Sequence, residues 1–379
     1  MTPSDASTPL HLHIAGWSGT SHSIALVNQW QALALSRRPD VRLSKCDIAT
    51  PARADEVFSL AERQRLNAIP ALPDGSSGFT ELRTPFVPDG QAASHPVLGF
   101  LVSEFHGRDY IEKLGPPEAR RRYERLNYHV PSNWVRLGLI EAGAPPDRIF
   151  VIPHGVDTRV FRPTPATRDR LRRQLGLDRF TFMHVGGMVL AKGIDVLLRA
   201  FVAVRQRGLK AQLLLKGHDA VYDSRGGLGR FLNELPESAR SLVNESTVYL
   251  GDSFDMPTMA ALYGAADAYV APYRAEGFCM PVLEAAASGL PLIATQGGAT
   301  DDFTTNDFRW AVDSRPQETR PGSHGLEPDL DHLIELMSRM VTARDFHNRA
   351  SKAGPRHVAA NYTWDHVAGR IVEVVRNLS

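Results

Sequence analysis

The chain has two cysteines in 379 residues, Cys46 and Cys279, and they form neither a CxxC pair nor a regular framework. That scarcity excludes a disulfide-stapled fold and a cysteine-held structural metal, and a reducing cytoplasm is the expected compartment. An excess of one charge is also missing, because 43 Lys and Arg stand against 42 Asp and Glu. Nucleic acid is therefore not an expected partner, since its recognition needs a basic field. No stretch approaches the ~20 apolar residues of a membrane-spanning helix. Met1 to Thr20 lacks the basic start and apolar run of an export signal. There is no short repeat, no low-complexity tract, no Gly-x-Gly-x-x-Gly and no Gly-Lys-Ser/Thr, and no Asp-x-Asp is read as a seat for a divalent cation. What is present is ordinary for a soluble globular chain: 43% hydrophobic and 22% charged residues, enough for two or three domains.

Leu10 to Gly16 reads as a buried strand. It runs into the turn Gly16-Trp17-Ser18-Gly19-Thr20-Ser21 and then the apolar-periodic stretch Ile24 to Leu35. Strand, glycine turn and helix open a parallel α/β domain. Further strands are expected at Val41 to Cys46, Pro96 to Val102, Tyr128 to Val130 and Ile149 to Pro153. A helix is expected over Asn133 to Ala142, capped by Ser132 and stopped by Gly143. Asn67 to Gln91, rich in Pro and Gly, reads as a long surface insertion. Prolines around Arg162 to Pro165 mark a linker, after which the alternation restarts. Strands are expected at Phe180 to Val185, Gln212 to Leu215, Val248 to Leu250, Tyr269 to Ala271 and Leu292 to Ala294, while Ile194, Leu197, Leu198, Phe201 and Val202 fall on one helix face. Two parallel α/β domains follow, residues 1–165 and 166–361.

Two loops carry candidate chemistry. Glu276 lies between a strand and a helix that Pro281 opens, with Glu284 farther along that helix and Gly289 at its end. Free amides at the helix start suit an anion, and the carboxylates suit hydroxyls, a mixture that matches a sugar joined to a diphosphate. Gly186 to Gly193 is a second strand-to-helix loop, in which backbone amides and Lys192 converge on phosphate. The plain alternatives are a glutamate that only favours its helix dipole and a lysine that is a solvated charge.

Taken together these features resemble the retaining glycosyltransferases of family 4, which have the two-domain GT-B fold. Glu276 to Glu284 matches the family's Glu-x7-Glu signature, and Val185 to Ala200 matches its Gly-Arg-x4-Lys-Gly segment in part. Val151 to Asp157, with Phe161 and Pro163, looks like its interdomain stretch, and Tyr362 to Asp365 like the start of a last helix, 362–379, that crosses back to the first domain. The resemblance implies two Rossmann-like domains facing each other across a cleft. It implies that Lys192 holds the donor diphosphate, Glu276 a sugar hydroxyl and Glu284 the ribose. The amides of Phe278, Cys279 and Met280 would line the sugar, Gly16 and Gly19 would admit the N-terminal loop to the phosphates, and Tyr249 and Leu250 are candidates for the base. The family's phosphate-binding arginine falls at Gly187, and its usual glycine at Cys279. The N-domain catalytic position is Glu104 or His106, which strand alternation puts on the same side. His154 reads as structural.

The implied activity is retaining transfer from a nucleotide sugar to a sugar, lipid-linked or other hydroxyl acceptor in polysaccharide, glycolipid or glycoconjugate synthesis, without a metal or other cofactor. Rival readings are a nucleotide-sugar epimerase or phosphorylase of the same fold, and a non-catalytic two-domain sugar-binding protein. Glu118 to Arg125 has a local basic excess, read as a solvated helix face with weak peripheral contact at the inner face of the membrane as the alternative.

Overall fold

The computed structural model describes residues 9–20, 22–48, 57–84, 95–107, 126–320 and 322–378. The first sheet comprises β1 (Leu10–Trp17), β2 (Val41–Ile48), β3 (Thr80–Thr84), β4 (Val97–Phe100), β6 (Asn127–Val130) and β7 (Ile149–Val151), while β5 (His106–Gly107) stands outside it. All of its pairs are parallel, in the order β2-β1-β3-β4-β6-β7. The second sheet comprises β8 (Phe180–Val185), β9 (Ala211–Lys216), β10 (Thr247–Leu250), β11 (Ala268–Ala271), β12 (Leu292–Thr295) and β13 (Arg309–Val312). It is also parallel and runs β10-β9-β8-β11-β12-β13.

The reading of 67–91 as a surface insertion is overturned over part of its length. Thr80–Thr84 is an interior strand, paired with β1 through Leu12↔Thr80 to Gly16↔Thr84, and residues 85–91 lie outside those described. The prolines and glycines that suggested a loop flank it in sequence, with Gly78 at φ +68° just before it and Pro85, Pro88 and Gly90 after it. This strand also explains Gly16. A Cβ there would meet the Thr84 carbonyl at 2.3 Å and Asn28 at 2.7 Å, so β1 approaches β3 closely only with glycine.

Each sheet is covered by helices whose apolar faces supply its core. The helix Ile194–Gln206 buries Ile194, Leu197, Leu198 and Phe201 against Phe182, Leu213 and Leu215. The last helix, Trp364–Leu378, returns to the first sheet and places Trp364, Val367, Ile371 and Val375 in a core with Leu12, Ile14 and Trp30. Trp364 stacks on Trp30 at 6.0 Å and 7°. The return is fixed where Val156 N donates to Tyr362 O at 2.9 Å, and where a Cβ on Gly155 would strike Trp364 N at 2.6 Å.

A third, antiparallel sheet bridges the two halves. β14 (Ser314–Arg320) and β15 (Ser323–Pro328) form a hairpin, and β15 pairs with β5 through Ser323↔Gly107 and His324↔His106. Two further contacts join the halves. Ser132 Oγ donates to Gly277 O at 2.6 Å, and Asp302 accepts from Asn133 N at 2.6 Å and Asn133 Nδ2 at 3.2 Å.

Candidate active site

In an open parallel sheet, ligands bind beyond the carboxyl ends of the strands, where the strand order reverses. In the second sheet that point lies between β8 and β11, so the loops after these two strands share one crevice. The first loop carries Lys192 and the second Glu276. Gly193, with φ +69°, is what lets the loops touch: a Cβ on it would lie 1.8 Å from the Pro272 carbonyl. Ala191 O then accepts from Arg274 N at 2.7 Å and from Ala275 N at 3.2 Å. The result is a direct hydrogen-bonded ion pair between Lys192 Nζ and Glu276, with Glu276 buried and Lys192 partly so.

Removal from water works against the Lys192 charge, but Glu276, Cys279 and Glu104 more than offset it, and the ammonium is held above its ordinary pKa. Glu104 comes from the other half of the molecule. Its surroundings remove enough water, and Glu276 adds enough repulsion, to raise its carboxyl above the ordinary value against the pull of Lys192. Its side chain is nevertheless open toward the cleft. Three of the four residues singled out for catalysis, Lys192, Glu276 and Glu104, are therefore brought together.

His106 is not with them. β4 ends at Phe100, and residues 101–105 turn, so strand alternation does not carry from 104 to 106. His106 instead packs its ring on Trp134 at 3.8 Å. Its Nε2 lies 2.7 Å from Trp134 O and its Nδ1 3.3 Å from Glu141, all on the helix Asn133–Glu141. The placement of Glu104 and His106 on one side is thus corrected.

The helix Met280–Ala287 begins at Cys279, which holds a left-handed backbone at φ +71° and ψ +65°. A residue other than glycine in that region costs about 1–2 kcal/mol. In the helix's first turn Pro281 has no N–H and Val282 N donates to Cys279 O at 3.0 Å, which leaves the Met280 amide as the one without an acceptor within the helix. Phe278 sends its ring inward, 4.6 Å from Phe303 and 4.9 Å from His154. His154 is buried and neutral, its pKa pushed down to about 3 by burial, with His129 adding to the effect. Glu284 is partly buried, and removal from water raises its pKa to about 7, although the Tyr263 hydroxyl, which donates to it at 2.7 Å, works the other way.

Tyr249 and Leu250 are engaged elsewhere. Tyr249 Oη donates to Asp219 at 2.5 Å and its ring carries the Arg225 guanidinium at 4.7 Å, while Leu250 O accepts from Gly217 N at 2.9 Å. Gly19, at φ +73°, has open space where a Cβ would project, and Gly187 lies against Tyr222. Tyr222, Ser23 and Arg274 are site neighbours that sequence reasoning missed, because no motif surrounds them. The chain does contain one Asp-x-Asp, Asp329-Leu330-Asp331, but it is a helix start: Asp329 accepts from His332 N at 2.8 Å. Among the described residues no group of three or more His, Cys, Asp or Glu is arranged to hold a metal ion.

Comparison with known proteins bears on the same region. Residues 179–318 match the family model described as glycosyl transferases group 1. Over 96% of its length the chain superposes on 99% of Alr3699/HepE from Anabaena, solved with UDP and glucose, at a TM-score of 0.71 and 15% identity. It has the GT-B fold, and residues 179–318 resemble group 1 glycosyl transferases. In GT-B terms β8 to β13 form the second Rossmann-like unit, and Lys192 and Glu276 sit at its switch point. Among curated relatives, the chain is 28% identical over 254 residues to the GDP-mannose-dependent alpha-(1-6)-phosphatidylinositol monomannoside mannosyltransferase of Mycobacterium tuberculosis, covering 65% of this chain and 60% of that protein. It is 26% identical over 252 residues to the lipopolysaccharide 1,2-N-acetylglucosaminetransferase of Salmonella typhimurium, covering 65% and 61%. The chain thus spans about three fifths of the length of these relatives. Among the described residues of this GT-B chain no helix is long and apolar enough to cross a membrane.

Proposed function

We propose that this protein is a retaining, metal-independent glycosyltransferase that moves a sugar from a nucleotide sugar to an acceptor hydroxyl in glycolipid or polysaccharide synthesis. The observation that carries the reading is the Lys192–Glu276 pair at the switch point of a group 1 glycosyl transferase domain, faced by Glu104 from the other half. The names of the two relatives, a phosphatidylinositol monomannoside mannosyltransferase and a lipopolysaccharide N-acetylglucosaminetransferase, support a sugar or lipid-linked acceptor. Weak contact with the inner face of the membrane remains a sequence-based proposal, because the 118–125 run lies outside the described residues.

In this reading the bond from the anomeric carbon to phosphate oxygen breaks and the bond to the acceptor oxygen forms on the same face. The departing phosphate oxygen takes the acceptor proton. Lys192 is fixed in its charged state beside the departing diphosphate, so its stabilisation needs no reorganisation during the reaction. Glu276 accepts from a hydroxyl of the sugar while it tethers Lys192, and the amides of Phe278, Cys279 and Met280 line the same ligand. Glu284 receives the ribose hydroxyls, and Glu104 positions the acceptor.

Lys192→Ala and Glu284→Ala are each expected to lower turnover by about 10²–10³, the usual size for losing a charged contact to a transition state. Nucleotide release over a panel of UDP-, GDP- and ADP-sugars measures this, and near-wild-type rates in both folded variants would remove the site assignment. NMR of the product anomer tests retention separately, an inverted product counting against it.

A further inference from the structure

Position 187, in the loop after β8, carries no side chain, yet the space above it is filled. A Cβ on Gly187 would lie 3.5 Å from both Cβ and Cγ of Tyr222 and 3.8 Å from Cδ2, which is ordinary contact. Tyr222 ends the single helical turn Asp219–Tyr222, whose direction is then reversed by Asp223 in a left-handed conformation at φ +32°. The residue is 42% exposed, one of six large hydrophobic residues left open among those described.

The polar end of that ring is set by both halves of the protein. Its hydroxyl shares a hydrogen bond with Ser23, the first residue of the helix Ser23–Leu35, and lies in the field of Lys192, Glu104 and Glu276. His22, the cap of the same helix, has its ring 6.2 Å from that of Tyr222. A hydroxyl has one donor and two acceptor sites, so the contact with Ser23 leaves the phenol capacity for a ligand. Burial holds the phenol above its ordinary pKa, with Lys192 opposing, so the proton stays on through the neutral range.

The charge balance shows why such a donor matters. Lys192 meets two carboxylates, Glu276 and Glu104, so these three groups carry no surplus positive charge for a ligand with two phosphates. A neutral O–H donates to phosphate oxygen without needing a counter-charge of its own.

We propose that Tyr222 is a donor-binding residue that reads the diphosphate: its ring packs over Gly187, and its hydroxyl, beside Ser23, donates to a phosphate oxygen in place of a side chain at 187. The inference rests on the donor reading above and extends it to a residue that no motif marks. Ser23 and Tyr222 come from opposite halves, so the contact is complete only when the cleft is closed.

Calorimetry with UDP, GDP and ADP, and with their monophosphates, tests it on the wild type, Lys192→Ala, Tyr222→Phe, Tyr222→Ala and Tyr222→Ala combined with Gly187→Arg. For the diphosphate that binds best, Tyr222→Phe is expected to weaken binding about tenfold, as for a hydrogen bond to a charged group, and the matching monophosphate by less than about twofold. Gly187→Arg in the Tyr222→Ala background is expected to restore diphosphate affinity, because the ring no longer occupies the arginine's path. Equal weakening of mono- and diphosphate, no weakening by Tyr222→Phe, or no rescue by Gly187→Arg overturns the inference. If Lys192→Ala weakens diphosphate binding but Tyr222→Phe does not, the donor reading stands and this inference alone fails. If the wild type binds no nucleotide, or Lys192→Ala leaves binding unchanged, both fall.

Discussion

Glu284 is a carboxyl whose ionisation the fold opposes. In the unfolded chain it ionises near 4.5, but in the folded protein removal from water delays this to about 7. Below pH 4.5 the residue is neutral in both states and its contribution to stability is fully present. As pH rises from there to about 7, only the unfolded state loses its proton, stability falls, and above that the loss is constant. Glu284→Gln has no proton to lose. Its stability relative to wild type is therefore expected to rise by about 2.5 kcal/mol between pH 5 and pH 8, read from urea unfolding at the two pH values. A difference that does not change with pH would mean that Glu284 is solvated in the native state. The Lys192–Glu276 pair, and Glu284 on the helix that follows, were marked in the sequence by their spacing at two strand-to-helix junctions. Tyr222 was not legible, because its position depends on a one-turn helix and a reversal at Asp223 that carry no periodicity.

Among elements, the loop after β11 is locked by one side chain. Arg274 is buried and donates from Nε and Nη2 to Glu327 at 2.6 and 2.9 Å, and from Nη1 and Nη2 to Asp195 at 2.6 and 2.9 Å. It also donates to Leu190 O at 3.1 Å. One guanidinium thus joins the Glu276 loop, the Lys192 turn, the start of the helix Ile194–Gln206 and β15. Arg274→Ala leaves two carboxylates without their partner, and breaking such a pair costs about 3–5 kcal/mol. Thermal unfolding checks this, and a change below about 1 kcal/mol would show the network to be incidental. The elements themselves were largely legible where periodicity was long, as in Leu10–Trp17, Asn133–Glu141 and Ile194–Gln206. Thr80–Thr84 was missed because the Pro- and Gly-rich residues around it masked five residues of strand, and β5 because two residues cannot show alternation.

At the scale of the whole molecule, the cleft is closed by a few contacts outside the core. Asp302 holds Asn133 from the opposite half through two hydrogen bonds on the surface. Asp302→Ala is expected to change stability by no more than about 1 kcal/mol, yet to raise the radius of gyration in small-angle scattering, with added nucleotide bringing it back. An unchanged radius would mean that β5–β15 and Ser132 suffice to keep the halves together. The crossing of the last helix was anticipated from Tyr362 to Asp365, whereas the bridging sheet was not, since its strands are far apart in sequence. The returning helix also sets an order of events during synthesis. The second sheet, β8 to β13, is contiguous in the chain and can be completed as soon as its own residues have left the ribosome. The first sheet emerges earlier but waits for Trp364, Val367, Ile371 and Val375 to fill its core. The half that is translated first therefore completes its core last, with residues of the chain's final helix.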